Sequence, residues 1–120
     1  MMLTSTLAPF GWTLIAMQAA SATPVAPTYL SRADVVAGLV DGQPWNMANT
    51  DGRNGRIRFN ADGTGAIESP IQRRIRWTTD SNRFCMRMGF LLGTRCFQAT
   101  RISTGFQGYT DGRASVRFTR

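Results

Sequence analysis

From Trp45 onward, apolar and polar residues alternate with a period of two. Arg56-Ile57-Arg58-Phe59, Arg74-Ile75-Arg76-Trp77, Arg83-Phe84-Cys85-Met86-Arg87 and Val116-Arg117-Phe118 each alternate bulky apolar side chains with other residues, mostly Arg. This is the pattern of a strand with one face on a core and the other in water. Gly, Asp, Asn and Pro interrupt it roughly every ten residues, the spacing of an antiparallel barrel or sandwich. Seven or eight strands are predicted, over Trp45–Asn49, Arg56–Asn60, Thr64–Glu68, Gln72–Thr78, Arg83–Phe90, Thr94–Ile102, Gly105–Tyr109 and Arg113–Thr119. The joins at Asn60-Ala61-Asp62-Gly63, Thr79–Asn82 and Asp111-Gly112 carry hairpin-turn chemistry. A meander closing on itself, a small β-barrel, leaves no unprotected edge.

Before the strands the period lengthens. Ser31 is placed to cap a helix over Arg32–Val40, with Asp34 in its first turn and Gly42 just past its end. Ala33, Val36, Ala37 and Val40, joined by Leu39, form the apolar stripe expected to pack on the strands. Residues 23–30, rich in Pro, Thr and Ala, read as a linker, and residues 31–120 as a single domain. The first 22 residues carry no charged side chain, and the mostly apolar run Leu3–Ala20 ends in Ala20-Ser21-Ala22, the small-x-small pattern of signal cleavage. Residues 1–22 are therefore read as a signal peptide and the chain as periplasmic or secreted. Pro9 and Gly11 interrupt the run and no Lys or Arg precedes it; an uncleaved anchor is the other reading.

An exported domain of this size has a small core and gains from a staple. Cys85 and Cys96 are the only cysteines. Pairing them across a hairpin sets Met86 opposite Arg95 and Arg87 opposite Thr94, with the loop centred on Phe90-Leu91. The cysteines then share the outer face with Arg83 and Arg87, while Phe84, Met86 and Met88 point inward. Arg95 falls on the inner face with Phe97 and Ala99. Three explanations stand at this point: it lies at the barrel mouth, it pairs with Glu68, or the register is off by one.

Composition narrows the chemistry. The chain has no His, its fourteen basic residues are all Arg, and its net charge is +7. Four of the seven acids directly precede Gly, as Asp41, Asp51, Asp62 and Asp111 do; Asp80 lies in a turn, Asp34 in a helix start, and Glu68 alone has no evident local task. General acid–base chemistry has little to draw on, so no catalytic residue is assigned. No metal and no cofactor are expected either, since two cysteines without His fall short of a metal site, and Met86 and Met88 read as core. Trp45, Trp77, Phe59, Phe84, Phe97 and Phe118 fill a small barrel or line a cavity within it.

Alternation sends Arg56, Arg58, Arg74, Arg76, Arg83, Arg87 and Arg117 to the outer wall. Guanidinium forks match phosphate and carboxylate oxygens, so these seven are the candidate binding residues. A codon bias that favours Arg over Lys, with outward charge serving solubility, explains the same pattern without a ligand. Nucleic acid is disfavoured, because the aromatics alternate to the opposite face and cannot stack on bases.

The order of landmarks is the helix ending near Gly42, Trp45, Asp62-Gly63, Trp77, Cys85 and Cys96. It resembles small exported alphaproteobacterial proteins of a domain-of-unknown-function family. That resemblance implies export and fold, with no catalytic residue to carry over. The chain is also similar to periplasmic inhibitors of secreted proteases, small disulfide-bonded barrels whose N-terminal segment enters a target cleft. Thr23–Thr28 would play that part here, although both Trp45 and Trp77 precede both cysteines, unlike the inhibitors' order. The expected function is a non-catalytic, monomeric binding module for an anionic envelope component or acidic partner. The alternative is a protease inhibitor acting through residues 23–30.

Overall fold

A computed structural model describes residues 28–89 and 92–120. The expected signal peptide and residues 23–27 of the expected linker lie outside the described residues. One helix, α1 (Arg32–Leu39), precedes eight strands: β1 (Trp45–Asn49), β2 (Asn54–Phe59), β3 (Thr64–Ser69), β4 (Arg73–Asp80), β5 (Arg83–Arg87), β6 (Thr94–Ile102), β7 (Gly105–Thr110) and β8 (Arg113–Thr119). Each strand pairs antiparallel with the next, and β8 returns to β1 to close the barrel. The strand bounds follow the hydrophobic alternation closely. β2 starts two residues earlier than predicted, and β5 stops at Arg87 rather than Phe90.

The turns use the chemistry the Asp-Gly pairs foretold. Asp51 accepts a hydrogen bond from the Arg53 amide at 3.0 Å, and Asp62 accepts from the Thr64 amide at 3.0 Å and the Thr64 hydroxyl at 2.6 Å. Asp111 (φ 53°) and Gly112 (φ 78°) both occupy the left-handed region between β7 and β8, as a type I′ turn requires. The Ser69-Pro70 peptide between β3 and β4 is cis.

The barrel interior is filled with rings. Phe59, Phe84, Phe106 and Phe118 are fully buried and Phe97 nearly so. Phe59 meets Phe84 edge-on at 5.1 Å and Phe118 at 5.8 Å, and Phe97 lies 5.4 and 5.5 Å from Phe84 and Phe118. Edge-on and tilted contacts of this kind add about 0.5–1.5 kcal/mol each beyond burial. Trp77 stacks on Phe84 and donates its indole N–H to the Asn60 carbonyl at 2.7 Å.

Helix α1 meets one end of this barrel. Ser31 caps it, its hydroxyl accepting from the Asp34 amide at 3.2 Å, as the sequence predicts. Leu39 of the predicted stripe is buried and Val36 and Val40 pack partly buried against the core, but Ala33 and Ala37 are exposed and Val35, outside the stripe, is buried. Counting apolar residues favoured the two alanines, but the larger side chains remove more apolar surface from water. The Trp45 indole donates to the Leu39 carbonyl at 2.9 Å, joining α1 to β1. Tyr29 and Leu30, at the end of the expected linker, belong to the same unit. The Leu30 amide donates to the Ala99 carbonyl at 2.8 Å, and the Tyr29 ring lies 5.5 Å from Tyr109.

Gly38 lies close against the barrel, since a Cβ there would collide with the Phe106 ring. Gly38→Ala gains about 1 kcal/mol in helix propensity, but overpacking against a buried ring costs roughly 1–3 kcal/mol. The collision is expected to win: Gly38→Ala lowers the melting temperature, and adding Phe106→Leu makes the alanine less harmful than it is alone. A higher melting temperature for Gly38→Ala would show that α1 is free to shift.

Cys85 and Cys96 are joined in a disulfide between directly paired residues of β5 and β6. Met86 faces Arg95 and Arg87 faces Thr94, the register expected. Closing an 11-residue separation is worth about 3 kcal/mol in the chain-entropy model. Replacing both cysteines by Ala is expected to lower unfolding free energy by about that amount in a denaturant titration, with strand content unchanged by circular dichroism.

Candidate functional site

Register decides which of the seven outer-wall arginines meet. On the outer face Arg58 of β2 pairs with Ala66 of β3, which pairs with Arg74 of β4. One row along, Thr64 of β3 pairs with Arg76 of β4, and Arg76 pairs directly with Arg87 of β5. The inward neighbours Phe59, Ile75 and Met86 are buried, so the arginines are driven outward. Arg74, Arg76 and Arg87 thereby border a surface groove of about 500 Å³ floored by Thr64, Gly65 and Ala66. The small side chains on β3 keep its floor low between longer neighbours.

The other four are placed differently. Arg58 adjoins the groove, but Glu68 takes it in an ion pair. That settles the role of Glu68 and removes it as a partner for Arg95. Arg83, at the opposite end of β5 from Arg87, is held by Asp80 at 2.6 Å across the β4–β5 turn. Arg117 lies on β8, four strands around the ring from β4, and donates to the Gln107 side chain at 2.9 Å. Gln107 is buried and in turn donates to the Val116 and Gly108 carbonyls. Arg56 sits beside a register shift between β2 and β3, opposite Ser69 and Asn46, outside the groove.

Among the described residues, no carboxylate lies within 4 Å of Arg74, Arg76 or Arg87. Arg76 and Arg87 are like charges directly opposite, an arrangement that costs stability, and among the described residues neither forms an ion pair. Asp62, in the β2–β3 turn, is the acid that feels Arg76. Its carboxyl is held below the usual range, first by the Thr64 hydroxyl, then by the Thr64 amide, with a smaller pull from Arg76.

Arg73 was missed by alternation, because its parity in β4 is that of Ile75, toward the interior. At the strand's first residue it emerges into solvent and donates to the Met88 carbonyl at 3.4 Å. With Gln72, Glu68 and Arg58 it borders a second depression of about 380 Å³ that reaches Arg74. The groove therefore continues along the outer face of β3 and β4. The only sequence signal for Arg73 was its place near the start of the predicted strand at Gln72, a few residues after Pro70.

Arg120, just past β8, is engaged at the α1 end. It holds both Asp41 oxygens, at 2.6 and 2.7 Å, contacts the Gln43 and Pro44 carbonyls, and places its guanidinium 3.5 Å over the Trp45 ring. This clasp ties the end of β8 to the loop between α1 and β1. Among the described residues, no three His, Cys, Asp or Glu side chains gather as metal ligands, and no helix is long and apolar enough to cross a membrane.

The Arg120 hydrogen bonds hold the Asp41 carboxyl below its ordinary value of 3.8. A carboxyl depressed on folding stabilises the fold at pH above its unfolded value, and that contribution fades as pH falls through the folded value. The pair is about a third exposed, so the effect is modest. Melting temperatures of the protein and its Asp41→Asn variant are expected to differ at pH 7 and to converge below the ordinary carboxyl range. A constant difference down to pH 2 would mean that the Asp41 charge is not what the clasp uses.

No protein-family model, no curated protein and no solved structure matches the chain. The groove of Arg74, Arg76 and Arg87 is therefore read on its own geometry.

Proposed function

We propose that this chain is a non-catalytic binding module of the cell envelope that grips an anionic component, such as a phosphorylated or carboxylated glycan or glycolipid, along the groove of Arg74, Arg76 and Arg87. The observation that carries the reading is the uncompensated charge. Three guanidinium groups stand together over a low floor, and among the described residues none has a carboxylate partner. An anion seated there gains charge-assisted, forked hydrogen bonds and relieves the repulsion between Arg76 and Arg87.

Several features support a binding role over the other classes weighed. The one acid without a turn or cap to serve, Glu68, is engaged by Arg58, which leaves acid–base catalysis without an available carboxylate. The large aromatics Phe59 and Phe84 are buried, so the basic face offers no stacking platform for nucleic-acid bases. Export, proposed from residues 1–22, agrees with a disulfide in a small domain. The inhibitor alternative places its working segment at residues 23–30; Tyr29 and Leu30 of that stretch are docked on β6 and β7, and no observation favours this reading.

A net charge of +7 attracts anions anywhere on the surface at low salt, so the test compares variants of equal charge. Arg74→Glu/Arg76→Glu/Arg87→Glu is set against Arg32→Glu/Arg53→Glu/Arg113→Glu, whose positions are exposed and outside the groove. Retention on vesicles carrying a phosphorylated glycolipid, near physiological salt, is expected to fall at least about tenfold in the groove variant, as loss of several charge-assisted bonds implies. The distal variant should lose much less. Equal losses would reduce the arginines to a general electrostatic field and overturn the site.

A further inference from the structure

The barrel has a second concavity, independent of the groove, at the end opposite α1. There Asn49 closes β1, Thr94 and Arg95 open β6, and Thr110 closes β7. These residues surround a pocket of about 340 Å³ whose deeper wall is Met86, Phe97 and Val116, all buried members of the core. An eight-stranded barrel is just wide enough to be filled by its own side chains or to hold one small ligand. This one divides the two solutions between its ends. The α1 end is packed with Trp45, Phe59, Phe84, Phe106 and Phe118, and among the described residues the far end keeps the room.

Arg95 supplies the chemistry. By alternation it belongs to the inward row of β6 with Phe97 and Ala99, opposite buried Met86, yet its own residue is exposed. Arg101 has the same parity at the other end of β6, and its guanidinium lies 4.9 Å over the Phe106 ring. Arg95 has neither a carboxylate within 4 Å nor a hydrogen-bond partner among the described residues. Its rim neighbours are polar and partly fixed: the Thr110 hydroxyl donates to the Cys96 carbonyl at 3.1 Å and lies 3.0 Å from the Ser115 hydroxyl.

An apolar wall beneath a small set of polar groups is the make-up of a small-molecule site, and one unpaired guanidinium at its rim selects a single negative charge. We infer that the far mouth of the barrel binds a small amphipathic monocarboxylate, with the carboxylate forked by Arg95 and the apolar body against Met86, Phe97 and Val116. A multiply charged headgroup is better served by the three arginines of the outer groove. A neutral apolar molecule leaves Arg95 without a role.

The probe is octanoate, with 1-octanol as its uncharged counterpart, titrated into the purified protein while backbone amide shifts are followed by NMR. The expected result is saturable shifts at Cys96, Phe97, Thr110, Ser115 and Val116. The affinity should fall at least about tenfold in Arg95→Gln, as loss of a charge-assisted hydrogen bond implies, and octanol should bind at least as weakly. Arg95 is exposed, so the variant's melting temperature should match the parent's, and the groove variant Arg74→Glu/Arg76→Glu/Arg87→Glu should bind octanoate as the parent does. Shifts confined to the outer groove, unchanged affinity in a folded Arg95→Gln, or no saturation at millimolar octanoate would each overturn the inference.

Discussion

The pairing of β8 with β1, from Asn46 opposite Thr119 to Asn49 opposite Val116, is the constraint on which the other features rest. Closure satisfies backbone groups that would otherwise line two free edges, and it fixes a bore narrow enough for one layer of aromatic rings. Phe118 of β8 lies against Phe97 of β6 and, across the closing seam, against Phe59 of β2, a contact that exists only because the ring is shut. Closure also fixes the outer wall, since inward rings on alternate positions force the residues between them into water. The polar face is thus set by the core it turns away from.

The two ends of the bore are finished by different means. At the α1 end, Leu39 and Val35 meet the rings, Gly38 lets the helix approach Phe106, and Arg120 lies over Trp45 while holding Asp41. Cation, ring, carboxylate and helix carbonyl are all partnered there. At the far end the inward rows finish in Met86, Val116 and Arg95, and the described side chains leave a pocket at the mouth. Flexible methionine tolerates irregular packing and suits a wall that meets both core and solvent. The asymmetry follows from the order of residues along each strand, with aromatics placed near the α1 end.

Much of this was legible from period and turn chemistry. Strict alternation in Arg74–Trp77 and Arg83–Arg87 leaves little freedom in register once Cys85 and Cys96, expected to pair in a small exported domain, are set opposite each other, and the structure keeps that register and puts Arg95 at the barrel mouth. The helix face was misjudged at Ala33 and Ala37, which look apolar in a periodic count, whereas Val35 has more surface to bury. The membership of the site was not legible. Arg58 and Arg74 share a row across β3, and so do Arg76 and Arg87 with Thr64, but only three-dimensional proximity shows that Glu68 occupies Arg58 and Asp80 occupies Arg83. Arg73 escaped because parity says nothing about a residue at a strand's first position, where the wall ends.

The charges around the barrel are unevenly compensated. The carboxylates that form ion pairs, Asp41, Asp51, Glu68 and Asp80, hold Arg120, Arg53, Arg58 and Arg83, and Asp34, Asp62 and Asp111 lie in the helix start and the turns. A surface arranged for solubility alone intersperses the two signs. Here Asp62 exerts a weak pull on Arg76 from the β2–β3 turn, but among the described residues no acid pairs with Arg76 or Arg87, and β3 presents uncharged Thr64 and Ala66 where an acid would meet the arginines of β4 directly. Placing Glu at position 64 or 66 would neutralise the groove and raise its floor together. The chain instead has short uncharged side chains at both positions, which keeps the repulsion and the space that an incoming anion would use.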